Sequence, residues 1–226
     1  MFFRFLFVRI DTYVLIKSLF LMRLVNMNKT YARVFAYIVG LIIQSVGLSL
    51  IIRSDFGTGP WDGFYVGISN HSGLTVGSWL FVVGILLVFF NSYLIKSKPN
   101  FISLITIFIM GLCMDCCLYL LDFEPDQAEM QVLTFWAGLL LTSIGMSLYV
   151  QGKFAITPAD QLMYALSHRF RLSLMWSKTL TDMGALMLAF LLHGPIGFGT
   201  IIYTFLCGPF IQFFIPKFER FFTQKT

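Results

Sequence analysis

Two short segments of the chain carry the same run of residue types. Asp55-Phe56-Gly57-Thr58-Gly59-Pro60-Trp61-Asp62-Gly63 has a twin in Lys153-Phe154-Ala155-Ile156-Thr157-Pro158-Ala159-Asp160. In each, Pro suits the first position of a helix, where its missing N–H costs nothing, and Asp falls in the first turn, where a carboxylate complements the helix dipole. Thr157 is the N-cap for the second copy and Gly59 holds that place in the first. The free N–H groups of such a helix start offer a site to an anion or a polar solute. Thr58, Gly59, Pro60 and Asp62, with Thr157, Pro158 and Asp160, are therefore the candidate solute-binding residues. The plainer alternative is a pair of ordinary capped helices linking longer ones.

Further polar residues stand inside apolar runs. Asp115 and Asp182 do so as carboxylates, and an ionisable group at membrane depth is a functional candidate by default because burying its charge costs a few kcal/mol or more. Both are candidate proton-coupling residues. Asp182 lies four residues after Lys178, so an ion pair along the helix competes with that role. Asp115 has no basic residue within a turn, which favours a polar cavity around it. Gln44 and Gln212 are candidate polar liners of the same path. Cys113, Cys116 and Cys117 share a helical face, yet no His accompanies them, and small residues in membrane helices serve packing. No P-loop, nucleophile elbow or His-Glu-x-x-His pattern is present, so neither an enzyme activity, a metal nor a cofactor is expected.

The elements that must position these residues follow from composition. Of 226 residues, 58% are hydrophobic and 12% charged, 26 are Phe, and the mean hydropathy is +0.80. A soluble protein of this size could not hide so much apolar surface, which excludes soluble enzymes and nucleic-acid binders. The four cysteines fall in apolar runs and do not form a secreted disulfide framework. The chain reads as a polytopic membrane protein whose first partner is the lipid bilayer.

Crossing about 30 Å of hydrocarbon takes roughly 20 apolar residues in a helix. Six runs qualify, at 34–52, 74–95, 101–121, 132–150, 174–192 and 196–215. With both termini cytoplasmic, 15 of the 16 Lys and Arg residues face inward and only Arg53 faces out, while the acidic loop of Asp122, Glu124, Asp126 and Glu129 is outside. Trp61, Trp79, Trp136 and Trp176 fall near span ends, where interface anchors belong. The expected location is the cell membrane. Residues 1–30 form a separate N-terminal segment: its apolar stretches are too interrupted for a span, and it reads either as an interfacial segment or as sequence upstream of a start at Met27.

Sliding the chain by 98 residues lays Gly40, Leu41, Ser45, Gly47, Ser49 and Leu50 over Gly138, Leu139, Ser143, Gly145, Ser147 and Leu148. Phe56, Pro60, Asp62, Ser69 and Leu74 then meet Phe154, Pro158, Asp160, Ser167 and Leu172, giving 11 identities over 35 positions. Two repeats result, at 31–121 and 130–216, each of three spans. An odd number of spans inverts the second copy relative to the first, the architecture of many secondary transporters, whose solute sits where the halves meet. The stretches 61–70 and 159–168 are too short to cross and read as re-entrant or interfacial helices, which are tolerated at depth only against protein or water.

The Gly-Thr-Gly-Pro-Trp-Asp segment at 57–62, followed by Gly73-Leu74-Thr75-Val76-Gly77, resembles the YczE/YyaS/YitT group of bacterial integral membrane proteins. Gly197-Phe198-Gly199-Thr200 and Gly208-Pro209 resemble further elements of that group, so the likeness covers roughly residues 33–215. One departure is Gln212, where the group's pattern leads us to expect an acidic residue; Asp115 stands at the equivalent place of the first half. The resemblance implies a fold and a membrane location, and no substrate. The expected fold is thus all-α: six transmembrane helices as two inverted three-helix repeats, each with one short helix. The expected function is a permease for a small, unidentified solute, with proton coupling as one form of it. A non-transporting accessory protein that assists a membrane partner is the alternative, and homo-oligomer formation is open.

Overall fold

The computed structural model describes residues 29–123 and 125–223, so most of the N-terminal segment, Glu124 and Lys225 lie outside the described residues. Among the described residues eight helices follow one another: α1 (Lys29–Arg53), α2 (Pro60–Ser72), α3 (Val76–Ile95), α4 (Ile102–Leu120), α5 (Ala128–Val150), α6 (Pro158–Phe170), α7 (Leu174–Leu191) and α8 (Phe198–Thr223). Among the described residues there is no strand. Five of the helices, α1, α3, α4, α5 and α8, are long and apolar enough to cross a membrane. The expected sixth, α7, is 18 residues long but falls outside that set, because Lys178, Thr179, Thr181 and Asp182 lower its hydropathy. α2 and α6, of 13 residues each, are the two short helices that the Pro-Asp segments begin.

The centre of the molecule is the crossing of α1 on α5, the most extensive helix pair. Four glycines make it possible. A Cβ on Gly40 would lie 2.4 Å from the backbone N of Tyr149, one on Gly47 2.4 Å from Thr142 N, and one on Gly145 2.4 Å from Gln44 N. Gly138 meets Gly47 and Ile51 in the same way. Small residues let membrane helices approach backbone to backbone, and hydroxyls then bond across the gap. Ser45 donates to the Met110 carbonyl at 3.3 Å and Ser49 to that of Met114 at 3.4 Å, tying α1 to α4. Ser147 donates to the Ile211 carbonyl at 3.2 Å, tying α5 to α8 at the matching place.

The packing follows the internal repeat. α1 lies on α4 as α5 lies on α8, and α2 packs on α7 as α3 packs on α6. The backbone repeats too. Positive φ angles at Asp55, Gly73 and Lys96 recur 98 or 97 residues later at Lys153, Arg171 and His193. One correspondence is missing. α3 and α4 pack closely, with Gly77 and Gly111 in contact, so that a Cβ on Gly77 would lie 2.2 Å from the Gly111 carbonyl oxygen. α7 and α8 have no comparable interface, and Gly208, the counterpart of Gly111, has open space around it.

Candidate functional site

The two Pro-Asp segments meet. α2 begins at Pro60 with Gly59 as N-cap, and α6 begins at Pro158 with Thr157 as N-cap. The extended cap residues turn both helix starts toward a common cavity of about 220 Å³ between α1, α3, α4, α7 and α8. Pro60, Asp62, Thr157, Pro158 and Asp160 line it, and Gln44 joins them from α1. Loop contacts fix the approach. Thr58 N–H donates to the Pro195 carbonyl at 3.0 Å, and Gly199 N–H to that of Phe56 at 2.8 Å. Asn91 on α3 donates its amide to the Pro158 carbonyl at 2.9 Å.

The two carboxylates differ in partners. Asp160 accepts the Thr157 hydroxyl at 2.7 Å and faces the Tyr149 hydroxyl at 3.5 Å, and its own N–H donates back to Thr157 at 3.3 Å. Asp62 is buried, and its carboxylate lies beside Gly59, where any Cβ would come within 2.8 Å of Oδ2 and 2.7 Å of the Tyr203 ring. Glycine at the cap therefore keeps room for Asp62 and Tyr203 together. Asp62 is within electrostatic reach of Lys178, Asp182 and Asp160.

The charged wall comes from α7. Lys178 Nζ donates to Asp182 Oδ1 at 2.8 Å, one turn along the helix, and Trp61 lines the cavity with them. Asp182 is buried while Lys178 is half-exposed, so the pair stands at the cavity's margin. Tyr203, Thr204 and Cys207 of α8 continue this wall, and apolar residues of α3 and α4 (Leu80, Leu87, Ile107 and Met110) form the facing one. Lys178 and Gly208 line the cavity and are also exposed, so it reaches the surface between α7 and α8.

The remaining candidates lie elsewhere. Thr58 is buried under the Pro195 loop, where its hydroxyl and N–H both serve one carbonyl. Gln212 is exposed on α8 and does not line the cavity. Asp115 faces away from it: Oδ2 accepts the Thr75 hydroxyl at 2.6 Å and Oδ1 the Gly77 N–H at 2.8 Å, so it holds the start of α3. A carboxylate bound to free N–H and hydroxyl groups at a helix start is satisfied there. Trp61, read as an interface anchor, is a wall residue instead. Tyr65, Tyr203 and Cys207 line the cavity and are not among the residues expected from sequence. The spacing of Thr200, Tyr203, Thr204 and Cys207 places polar groups on one face of an apolar helix, which is the signal that could have found them.

An all-helical membrane protein with an ionisable cavity at the junction of two matched Pro-Asp segments is the class that fold and site define. The chain belongs to DUF6198, a family of unknown function, which it matches over residues 31–216. It is 37% identical over 191 residues to the uncharacterized protein YyaS of Bacillus subtilis, covering 84% of this chain and 95% of the relative. It is 31% identical over 182 residues to the uncharacterized membrane protein YczE of the same organism, covering 80% and 84%. An uncharacterized protein of Haemophilus influenzae is 26% identical over 192 residues, 84% of this chain and 86% of that one. No solved structure matches.

Proposed function

We propose that the protein is a membrane permease for a small solute, built as two inverted repeats of three spans with both termini cytoplasmic, and that it carries out no enzymatic step. α7 is the sixth span in this reading. Its lowered hydropathy owes most to Lys178 and Asp182, which line the cavity, and a charged residue inside a span is tolerated where it meets a partner or a polar cavity. The observation that carries the reading is the single cavity to which both Pro-Asp segments contribute, between helices of both repeats. Binding at the meeting of the halves lets a rocking motion expose the solute first to one side and then to the other. Asp62, Asp160 and Asp182 are the ionisable elements; Asp115 is assigned to positioning α3. The open face between α7 and α8 favours the accessory-protein alternative, since it leaves surface for a partner helix.

Cys207 supplies a native probe. It is buried and lines the cavity, whereas Cys113, Cys116 and Cys117 of α4 do not. With those three changed to Ser, a membrane-impermeant thiol reagent is added to one side of sealed vesicles at a time. Labelling of Cys207 from both sides is the result expected of a permeation path. Absence of labelling from either side would reject the permease and leave the accessory reading.

A further inference from the structure

The lining of the cavity also specifies what it accepts. This step rests on reading the cavity as a solute site. Three carboxylates, Asp62, Asp160 and Asp182, share it with one ammonium, that of Lys178. Where all are ionised, two negative charges are left for a ligand to answer. Two of the donors are committed: Lys178 Nζ donates to Asp182 and the Thr157 hydroxyl to Asp160. Acceptors remain. Gln44 is 6% exposed, lines the cavity, and its Oε1 has no hydrogen-bond partner among the described residues. A buried acceptor without a donor is destabilising, and a ligand N–H would relieve it.

The helix starts do not reverse this balance. An empty helix N-terminus attracts anions, but here each first turn already holds its own carboxylate, Asp62 or Asp160. An anionic solute would be brought against both. Aromatic faces add to the preference: Trp61, Tyr65 and Tyr203 stand in the wall, and a cation over such a ring is attracted by its quadrupole. The opposite wall is aliphatic and suits a hydrocarbon tail.

We propose that the cavity binds a small organic cation, a primary alkylammonium whose N–H groups face Asp62 and Gln44 Oε1 and whose chain lies on the apolar wall of α3 and α4.

The test uses three probes of one shape: butylammonium, 1-butanol and butyrate. Each is titrated onto full-length protein in nanodiscs by calorimetry, and each is used to protect Cys207 from alkylation in the background where the other three cysteines are Ser. Saturable binding of butylammonium is expected, with slowed alkylation of Cys207 and no effect of the other two probes. Asp62→Asn should weaken butylammonium binding about tenfold or more, since a buried charge partner is lost. Gln44→Leu, which removes the acceptor without touching charge, should weaken it severalfold and covers the case in which Asp62→Asn does not fold. Asp126→Asn, outside the cavity, should leave binding unchanged. Protection by butanol or butyrate instead, or binding indifferent to both Asp62 and Gln44, would overturn the cation assignment while leaving the path intact. Failure of all three probes to bind or protect a reactive Cys207 overturns it as well. Cys207 unreactive from both sides, with no probe bound, would remove the path together with its ligand.

Discussion

The segment that starts α2 and the one that starts α6 descend from one pattern, yet their aspartates are held differently. Asp160 has a hydroxyl at the cap, Thr157, and another one helix away, Tyr149. The positions that match them in the first half are Gly59 and Ile51, which offer no hydroxyl at all. Asp160 is thereby tied to its own helix, and Asp62 is left to the cavity. The walls diverge in the same sense. Lys178 and Asp182 stand where the first half has Leu80 and Gly84, so one side of the cavity is charged and the other smooth. Two similar helix starts thus stand around one space, and a few positions that differ between them give that space its polarity.

The two halves differ again at their helix seams, where α3 packs on α4 but α7 stands apart from α8. Gly77→Ala should cost the most, about 2–3 kcal/mol, because the new Cβ would meet Gly111 O at 2.2 Å and the Asp115 carboxylate at 2.6 Å, and overpacking a tight contact is destabilising. Thermal unfolding in detergent should show a clear fall in Tm. An unchanged Tm would mean that the α3·α4 seam is looser than described.

The two helix starts are separated next by paired substitutions. Thr157→Ala removes the hydroxyl that caps α6 and holds Asp160, and should cost about 1 kcal/mol. Asp62→Asn should cost less than that, because no cap side chain of α2 depends on it. If Asp62→Asn destabilises the protein more than Thr157→Ala does, the difference in partners does not reflect a difference in role.

The smallest effect is expected at Gly208→Ala. Nothing lies within 4 Å of the Cβ that would be added, and an Ala inside a helix is intrinsically favoured over Gly by somewhat under ~1 kcal/mol. The change should therefore leave Tm level or slightly raised. A loss matching that of Gly77→Ala would show that α7 and α8 close on each other in the membrane.

Hydropathy made the helices legible. The long apolar runs became α1, α3, α4, α5 and α8, and the Pro-Asp starts located α2 and α6 to within a residue or two of Trp61 and Ala159. Length also located α7, whose polar groups then exclude it from the purely apolar set. The role of Asp115 was not legible, because its partners Thr75 and Gly77 lie some forty residues earlier and come near only when α3 packs on α4. Gln212 failed for a related reason: the repeat gives its position along α8 but not which way that helix faces once α7 stands apart from it. Polarity within a span marks a residue as unusual; whether it serves a cavity or a neighbouring helix start is decided by packing.

The inversion of the halves is the claim on which the rest depends, and matched positions test it. Asp55 and Lys153 stand 98 residues apart, both exposed, both with positive φ, directly ahead of the two Pro-Asp segments. Asp55→Cys and Lys153→Cys, each in a protein otherwise free of cysteine, are labelled in sealed cells with an impermeant maleimide and again after permeabilisation. Position 55 should label from outside at once and position 153 only after the membrane is opened. Labelling of both from the same side would contradict the inverted repeat and with it the path between its halves.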